Sequence, residues 1–225
     1  MFVNNTSPYA AADYDSNIER TIPYYSFFYQ QTLDLVAAIG QDRFQWLDCG
    51  CGTGTMAEMA LERFPDAEFT LCDPSAEMVG LAKQKLSGEK RILAYRVLGT
   101  ENLHDENRFD VATAIQSHHY FREDERVKAT QNVYRALKEG GMYIFFENTA
   151  PATQKGKEIV MKRWAQYQRE HGKTEAEIET YLSRYGKNYF PIPLAAHLHN
   201  LKQCGFKTVE PFWLSVMQAG FYAIR

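Results

Sequence analysis

Three glycines at alternate positions follow an acid at the end of a strand-like segment in this 225-residue chain. The acid is Asp48, and the segment over residues 47–55 reads Leu-Asp-Cys-Gly-Cys-Gly-Thr-Gly-Thr. Glycines in such a turn allow positive φ angles and let a ligand approach the backbone where a Cβ would exclude it. A helix predicted over residues 55–64 would direct its free N–H groups at the same turn. The pattern therefore predicts a nucleotide-sized pocket.

A second acid supports the same pocket. Asp73 ends the next apolar segment, about 20 residues further on, where folds of this kind place a carboxylate for ribose hydroxyls. The glycine spacing also distinguishes between ligands. A dinucleotide-binding turn requires Gly or Ala at position 55, and Thr55 stands there.

Two adjacent histidines follow a predicted strand over residues 109–115, in the segment 116–121. Ligands in open α/β sheets bind beyond the carboxyl ends of the strands, so His118 and His119 are candidates for accepting a substrate proton. The alternative is that both histidines only pack against Tyr120. Neighbouring residues on an extended segment face opposite ways, so at most one histidine is expected to reach a substrate, and His119 is the first choice.

The elements that must position these residues alternate between strand and helix. Strands are predicted near residues 44–49, 67–72, 92–98, 109–115 and 141–147, and helices near 55–64, 75–86 and 123–137. This alternation is typical of an α/β fold with a mostly parallel sheet.

Two additions extend this α/β body. Residues 1 to about 17 are polar and predict a mobile arm, followed by a helix over 22–39. Residues 153–185 predict two helices that form a cover, and a further helix from Pro193 to Gly205 precedes strands at 206–214 and 217–224. We therefore expect an arm and lid helix over 1–40 and a ligand-binding domain over 41–225, with a helical insert at about 151–190.

Composition narrows the class of protein. The chain is 45% hydrophobic and 24% charged with a formal net charge of −3, which suits one α/β domain and does not favour nucleic-acid binding. No apolar run is long enough to span a membrane, and the polar start is unlike a secretory signal, so a cytoplasmic protein is expected. The four cysteines lack zinc-like spacing, and no metal is expected.

The glycine turn, with its spacing Gly-Cys-Gly-Thr-Gly from Gly50, resembles that of class I S-adenosylmethionine (SAM) methyltransferases. The resemblance extends over residues 46–225. It implies a doubly wound, mostly parallel seven-stranded sheet, SAM as cofactor and methyl transfer to a small-molecule acceptor. It also implies that Asp48 lies near the methionine amino group and that Asp73 binds the ribose hydroxyls.

The full set of cofactor-binding residues expected from the resemblance is Tyr25, Asp48, Gly50, Cys51, Gly52, Gly54, Asp73, Pro74, Met78, Thr100, Glu101 and Gln116. One position departs from the family pattern. Many relatives carry an acid after the third strand that binds the adenine amino group, and Gly99 and Thr100 stand there. Adenine would then be bound by Thr100, by the backbone or by the displaced acid Glu101.

Segments near both ends look similar to the carboxy-SAM synthases of the same superfamily. In that branch a Pro-x-Tyr segment contributes a tyrosine to the cofactor pocket, and Tyr25 is the matching residue. An arginine of the insert binds the extra carboxylate of its cofactor, but Leu182 matches that place, with Arg184 two residues on. Ordinary SAM is favoured. The alternatives are a carboxy-SAM synthase-like enzyme or a SAM-binding protein without catalysis, and a homodimer is left open.

Aromatic residues suggest a wall over the sulfonium, for which cation–π attraction gives a physical reason. Most of them are expected in the core, with two or three at most in the pocket. The candidates are Tyr14, Tyr24, Tyr25, Phe27, Phe28, Tyr29, Trp164 and Tyr167.

Overall fold

Eight strands form one sheet in the computed structural model, which describes residues 7–41 and 43–225. The strands are β1 (Gln45–Cys49), β2 (Glu68–Asp73), β3 (Ile92–Val97), β4 (Phe109–Ile115), β5 (Leu137–Ala150), β6 (Ile192–Pro193), β7 (Thr208–Ser215) and β8 (Gln218–Ile224). The helices are α1 (Tyr14–Thr21), α2 (Tyr25–Ala37), α3 (Thr55–Arg63), α4 (Ala76–Lys85), α5 (Glu123–Ala136), α6 (Gln154–Glu170), α7 (Glu175–Leu182) and α8 (Leu194–Gln203).

Seven of the strands follow the order β3-β2-β1-β4-β5-β8-β7, which confirms the predicted doubly wound sheet. Strands β1 to β5 are parallel, whereas β8 runs antiparallel to both β5 and β7. The two-residue strand β6, which was not predicted, pairs with β5 beyond the end of β4. The chain builds from β1 towards β3 and then returns to place β4 on the other side of β1. Ligands bind at such a switch point.

Helices cover both faces of the sheet. Successive residues of each strand point to opposite faces, so each strand contributes side chains to both layers of contact. Trp46 packs with α2 and α3 on one face, whereas Leu47 packs with α5 and α8 on the other. Strand β5 begins at Leu137, earlier than predicted. Its first residue pairs with Phe109 ahead of a shift in register.

The N-terminal segment differs from the prediction. The expected mobile arm is wrong from residue 14 onward, since α1 is a regular helix whose Ile18 and Thr21 are buried. Asp15, Ser16 and Glu19 are exposed, while Tyr14, Ile18 and Ile22 recur at helical spacing and pack against the core. The predicted helix over 22–39 begins only at Tyr25. The part of the arm over residues 1–6 lies outside the described residues.

The insert forms the two predicted helices, α6 and α7, and is bonded to α1. The Trp164 indole Nε1–H donates to the Thr21 carbonyl over 2.6 Å, and the Tyr167 hydroxyl donates to the Glu19 carbonyl over 2.7 Å. Arg20 donates in return to the carbonyl oxygens of residues 171 and 172. Within the described residues, no helix combines the length and apolarity needed to cross a membrane.

Candidate functional site

Two adjoining cavities lie beyond the carboxyl ends of β1, β2 and β4. The larger has a volume of about 270 Å³ and the smaller about 30 Å³. The larger is lined by Ser7, Tyr14, Gly50, Gly52, Asp73, Pro74, Ser75, Met78, Thr100, Glu101, Ile115, Gln116, Ser117, His118, Tyr120, Phe121 and Glu125. The smaller is lined by Tyr14, Tyr25, Tyr29, Asp48, Gly50, Cys51, Gly52, Thr53, Thr55, Met56 and Ile115. Tyr14, Gly50, Gly52 and Ile115 belong to both walls.

The three glycines of the turn have positive φ but meet different surroundings. A Cβ on Gly50 would lie 2.4 Å from the Ser117 Cβ, so this glycine lets the turn approach the end of β4. Gly54 does not line either cavity, and a Cβ there would contact Ala82 at 3.2 Å. The structure thus places Gly54, an expected cofactor-binding residue, against α4 and not in a cavity wall. Only Gly52, with φ +53°, has open space where its Cβ would stand.

Asp48 is a buried carboxylate with one unpartnered oxygen in the smaller cavity. Its Oδ1 accepts a hydrogen bond from the Thr113 hydroxyl over 2.8 Å, and Thr113 in turn accepts from the Trp46 indole N–H. Its Oδ2 has no hydrogen-bond partner among the described residues. Burial raises the pKa of Asp48 to about 7, although the Thr113 hydrogen bond acts to lower it. Such a carboxylate suits a cationic amino group.

Three tyrosine hydroxyls from the N-terminal helices meet in the same cavity. The Tyr29 hydroxyl donates to the Tyr25 hydroxyl over 3.0 Å, and Tyr14 lies 3.3 Å from Tyr25. Burial holds the pKa of each phenol well above 10, so the three stay neutral. These are the aromatic residues of the predicted wall that line a cavity, in agreement with the expected two or three. Trp164, by contrast, is a core residue.

Asp73 connects β2 with the glycine turn. Its Oδ2 accepts from the Gly52 N–H over 3.0 Å and its Oδ1 from the Ser75 N–H over 2.8 Å. Burial raises its pKa in spite of these two bonds. The carboxylate lines the larger cavity beside Pro74 and Met78, so the structure brings these three predicted residues together.

Two unpartnered polar atoms mark the far part of the larger cavity. Within the part of the chain that the structure describes, the buried Glu101 Oε2 has no hydrogen-bond partner, and neither has the buried Gln116 Nε2. Gln116 has the left-handed φ of +54°, which is uncommon for a residue other than glycine. The Thr100 hydroxyl, in contrast, is within 3.1 Å of the His118 Nε2 and is already engaged.

His118, the second candidate base, lines the larger cavity with both ring nitrogens in hydrogen bonds. Its Nδ1 lies 3.0 Å from the Tyr143 hydroxyl, so both ring nitrogens have hydrogen-bond partners. Burial lowers its pKa to about 4. His118 lines the cavity with a neutral, fully bonded ring.

His119, the first choice as base, lines neither cavity. Its Nδ1 lies 3.2 Å from the Glu147 Oε2, and its ring packs against Tyr120 at a centroid distance of 4.3 Å. The alternation expected of an extended segment does not apply, because residues 118–120 form a turn of 3₁₀ helix.

Some lining residues were not predicted from the sequence. Ser75 could have been found, because it is the N-cap of α4 and its hydroxyl accepts from the Met78 N–H. Ile115 and Ser117 flank the predicted Gln116. Nothing in the sequence distinguishes Glu125 as a cavity residue, because it belongs to the acidic first turn of α5.

The walls of both cavities suit a cationic ligand. Among the described residues that line them there are four carboxylates and neither lysine nor arginine. No group of three or more His, Cys, Asp or Glu side chains within the described part of the chain could bind a metal ion. SAM carries an ammonium and a sulfonium, and the glycine turn leaves space for a ligand against the backbone. The described residues fit this cofactor.

Comparison with known proteins agrees with this geometry. A family model described as a methyltransferase domain matches residues 47–141, from β1 to the start of β5. Carboxy-S-adenosyl-L-methionine synthase of Campylobacter lari is 23% identical over 218 residues, covering 96% of this chain and 92% of that protein.

Two solved structures show the same fold. The CMeT domain of the citrinin polyketide synthase superposes with a TM-score of 0.70 at 17% identity, over 94% of this chain and 56% of that chain. Human N-acetylserotonin methyltransferase in complex with SAM superposes with a TM-score of 0.57 at 17% identity, over 96% of this chain and 58% of that chain. The present chain thus spans little more than half of either structure.

The matched domain contains Asp48, Gly50, Gly52 and Asp73, all of which line the two cavities. Its sheet order and its relatives lead to the same assignment. Residues 47–141 of this chain therefore match a methyltransferase domain, the chain has the fold of the class I SAM-dependent methyltransferases, and SAM is its cofactor or substrate.

Proposed function

We propose that this protein transfers the methyl group of SAM to a small-molecule acceptor. The observation that carries the proposal is the buried Asp48 Oδ2, which has no partner among the described residues. Asp48 lines the same small cavity as three tyrosines, and that cavity shares wall residues with the larger one. An unpaired buried carboxylate is costly in the free protein, and a bound ammonium group would remove that cost.

The chain's own residues bind and orient in this proposal. Asp48 accepts hydrogen bonds from the methionine amino group, Asp73 accepts from the ribose hydroxyls, and Glu101 and Gln116 offer unpartnered polar atoms at the far end. SAM supplies an electrophilic methyl group when bound. The tyrosines from α1 and α2 then exclude water and align an acceptor with it, which is the main requirement of this chemistry.

A carboxy-SAM synthase-like activity is the second candidate, supported by the Campylobacter lari relative. One observation favours it. Burial raises the pKa of Tyr120 to about 12, while the charge of Arg184 acts to lower it, so this arginine lies near a residue of the cavity wall. Against it, Leu182 occupies the place of the family's arginine and packs against the core. The absence of lysine and arginine from the described cavity walls supports SAM itself.

A binding protein without catalysis is the third reading, and the hydroxyl groups of Tyr14 and Tyr25 in the cavity wall argue against it. Four unpaired cysteines support a cytoplasmic location, where thiols stay reduced. The net charge of −3 supports a small molecule rather than a nucleic acid as acceptor. The proposal leaves a homodimer open.

The first test identifies the natural ligand. Protein purified without added cofactor is denatured, and the released small molecules are identified by mass spectrometry. Recovery of SAM or its demethylated product supports the proposal. A compound heavier than SAM by the mass of CO₂ would instead select the carboxy-SAM alternative.

The second test is calorimetry with Asp73→Ala. We expect weaker binding of SAM and of its demethylated product by about 1.5–3 kcal/mol, because a carboxylate that accepts hydroxyl donors is lost. Asp110→Ala removes a carboxylate that bonds Lys138 and the Gln45 N–H, outside both cavities, and serves as control. Unchanged affinity in Asp73→Ala would remove this residue from the ribose site. Binding of NAD in place of SAM would overturn the function.

A further inference from the structure

The segment that follows β4, here named the cavity turn (residues 116–121), shapes the larger cavity. The ladder between β4 and β5 ends with the bond from the Gln116 N–H to the Phe146 carbonyl, over 2.8 Å. Gln116 then adopts its left-handed φ, and the chain leaves the sheet. Five of the six residues of the cavity turn line the larger cavity: Gln116, Ser117, His118, Tyr120 and Phe121.

A carboxylate of the neighbouring strand continues the bonding where the ladder stops. Glu147 follows Phe146 on β5 and is 1% exposed. Its Oε1 accepts from the His118 N–H over 2.9 Å, and its Oε2 lies 3.2 Å from the His119 Nδ1. One side chain thus binds two successive residues of the cavity turn, one through the backbone and one through the ring.

Glu147 is buried at a considerable energetic cost unless it is paired. Burial acts to raise its pKa, but the hydrogen bond with His119 acts to lower it, and the pKa lies below its ordinary value. The carboxylate therefore stays ionised as an acceptor for both donors. Charge-assisted hydrogen bonds of this kind are about twice as strong as neutral ones.

Two other elements bind the cavity turn from outside the sheet. The Arg126 Nη2 donates to the carbonyls of Phe121, over 3.0 Å, and Phe190, over 2.5 Å. The Phe190 N–H donates to the His119 carbonyl over 2.7 Å. Backbone groups of the turn are therefore bonded to α5 and to the segment that leads out of the insert, while two side chains of β5, Glu147 and Tyr143, bond it to the sheet.

We propose that Glu147 is a positioning residue that holds the cavity turn in the shape required for SAM binding. It lines neither of the two cavities of the site, so it acts only through His118 and His119. The part of this inference that concerns SAM binding rests on the proposed function. Its consequence for the turn itself does not depend on any ligand.

Hydrogen exchange of the SAM-free protein tests the positioning directly. In Glu147→Leu, both bonds to the turn are lost, and we expect amide exchange in a peptide covering the turn to be at least about tenfold faster. Glu147→Gln retains an oxygen for the His118 N–H, and its exchange should stay close to wild type. Glu147→Asp keeps the charge but is too short to reach both donors, so it should be intermediate. The Glu147→Asp variant therefore decides the exchange test if Glu147→Leu does not fold.

Asn148→Leu is the matched control, because Asn148 is the next residue of β5 and equally buried, and its side chain bonds Gln218 instead. It should leave exchange of the cavity turn unchanged. Wild-type exchange in folded Glu147→Leu, or in Glu147→Asp where the leucine variant does not fold, would overturn the proposal. Equal acceleration in Asn148→Leu would do the same, since the effect would then be general loosening of β5.

SAM titration of the same variants tests the consequence for the site. Glu147→Leu should weaken SAM binding at least about tenfold, and Glu147→Gln should restore most of the affinity. Wild-type affinity in a variant with accelerated exchange would overturn the claim that SAM needs this shape of the turn. If the wild-type protein binds no SAM, the proposed function fails, and the exchange result still decides whether Glu147 positions the turn.

Discussion

Asp48 is a carboxyl group whose ionisation opposes folding until a cation binds. Burial raises its pKa from 3.8 to about 7. A raised pKa means that the folded protein binds the proton more tightly than the unfolded chain does. Asp48 therefore contributes stability that is fully present below about pH 4 and is lost as the pH rises to about 7. Binding of an ammonium group requires the ionised form, so ligand binding and proton release are linked.

We predict that SAM binds more weakly as the pH falls below about 7, approaching tenfold for each pH unit. Asp48→Asn should bind SAM weakly at every pH, and without SAM it should lose the decline in thermal stability between about pH 4 and 7. Calorimetry in buffers of different ionisation enthalpy would detect the released protons, with Asp110→Asn as control. Affinity that is independent of pH in the wild-type protein would separate Asp48 from the amino group.

The histidine base remains a prediction from the sequence. If His119 accepts the substrate proton, His119→Asn should keep SAM affinity within a few-fold and lower turnover by about 100-fold. The structure favours the opposite result, because His119 lines neither cavity and its Nδ1 faces Glu147. A screen of phenols, amines, thiols and carboxylates for release of demethylated SAM must first identify an acceptor. Full activity in the asparagine variants of both histidines would leave alignment as the source of catalysis.

The spacing of acids and glycines in the sequence was enough to predict that Asp48 and Asp73 lie at the cavities. Asp48 and Asp73 end strands on either side of the glycine turn, and the structure places both in the cavities. Glu147 had no such signal. It lies in an apolar strand, and its two partners are 28 and 29 residues away in sequence, so only the pairing of β4 with β5 reveals it.

At the scale of elements, Gly52 of the glycine turn can be compared with Gly88, a glycine of similar geometry that lies after α4. Gly52 and Gly88 both have positive φ and open space around the position of a Cβ, but only Gly52 lines the cofactor cavities. We expect Gly52→Val to abolish SAM binding by steric contact, while Gly88→Val suffers only backbone strain of about 1–3 kcal/mol and still binds SAM. Melting curves with and without SAM measure this. A SAM-induced shift that persists in Gly52→Val would show that the backbone does not approach the ligand there.

The cover depends on the contact between α6 and the end of α1. Trp164 is fully buried, and its indole donates to the Thr21 carbonyl over 2.6 Å. Trp164→Ala should reduce the free energy of unfolding by about 3–5 kcal/mol through loss of packing. Trp164→Phe should lose about 1–3 kcal/mol, mainly because a buried carbonyl loses its donor. Chemical denaturation provides the values, and Phe27→Leu, at a residue 54% exposed, is the control. Equal losses in all three variants would contradict the role of the contact.

The sequence predicted most elements because helix and strand periods are local properties. It missed α1, because the abundance of Asn, Ser and Asp there concealed apolar residues at positions 14, 18 and 22. It also missed β6, whose two residues form a strand only because β5 extends beyond β4 and leaves Thr149 and Ala150 open to pairing. A prediction based on polarity alone therefore misses helices that pack against the core through one narrow apolar face.

At the scale of the whole molecule, the alternation of strands and helices predicts a mostly parallel sheet, and the doubly wound arrangement is what the resemblance to class I methyltransferases implies. The cover does not follow in this way. Arg20 reaches the carbonyls of His171 and Gly172 across about 150 residues of sequence, and the Lys173 ammonium reaches the Asn17 side chain. Such contacts have no periodic pattern, so the composition of the insert suggested a cover without locating its partner.

Tyr14 forms part of the wall of both cavities, and its helix is bonded to the insert by several hydrogen bonds. We infer that a ligand that fills the smaller cavity enters before this wall is complete and leaves only after the wall has opened. We expect a compulsory kinetic order in which SAM binds first and its demethylated product leaves last. Initial-rate measurements should show that product competing with SAM but not with the acceptor. Competition with both would mean that the acceptor reaches its place without the wall.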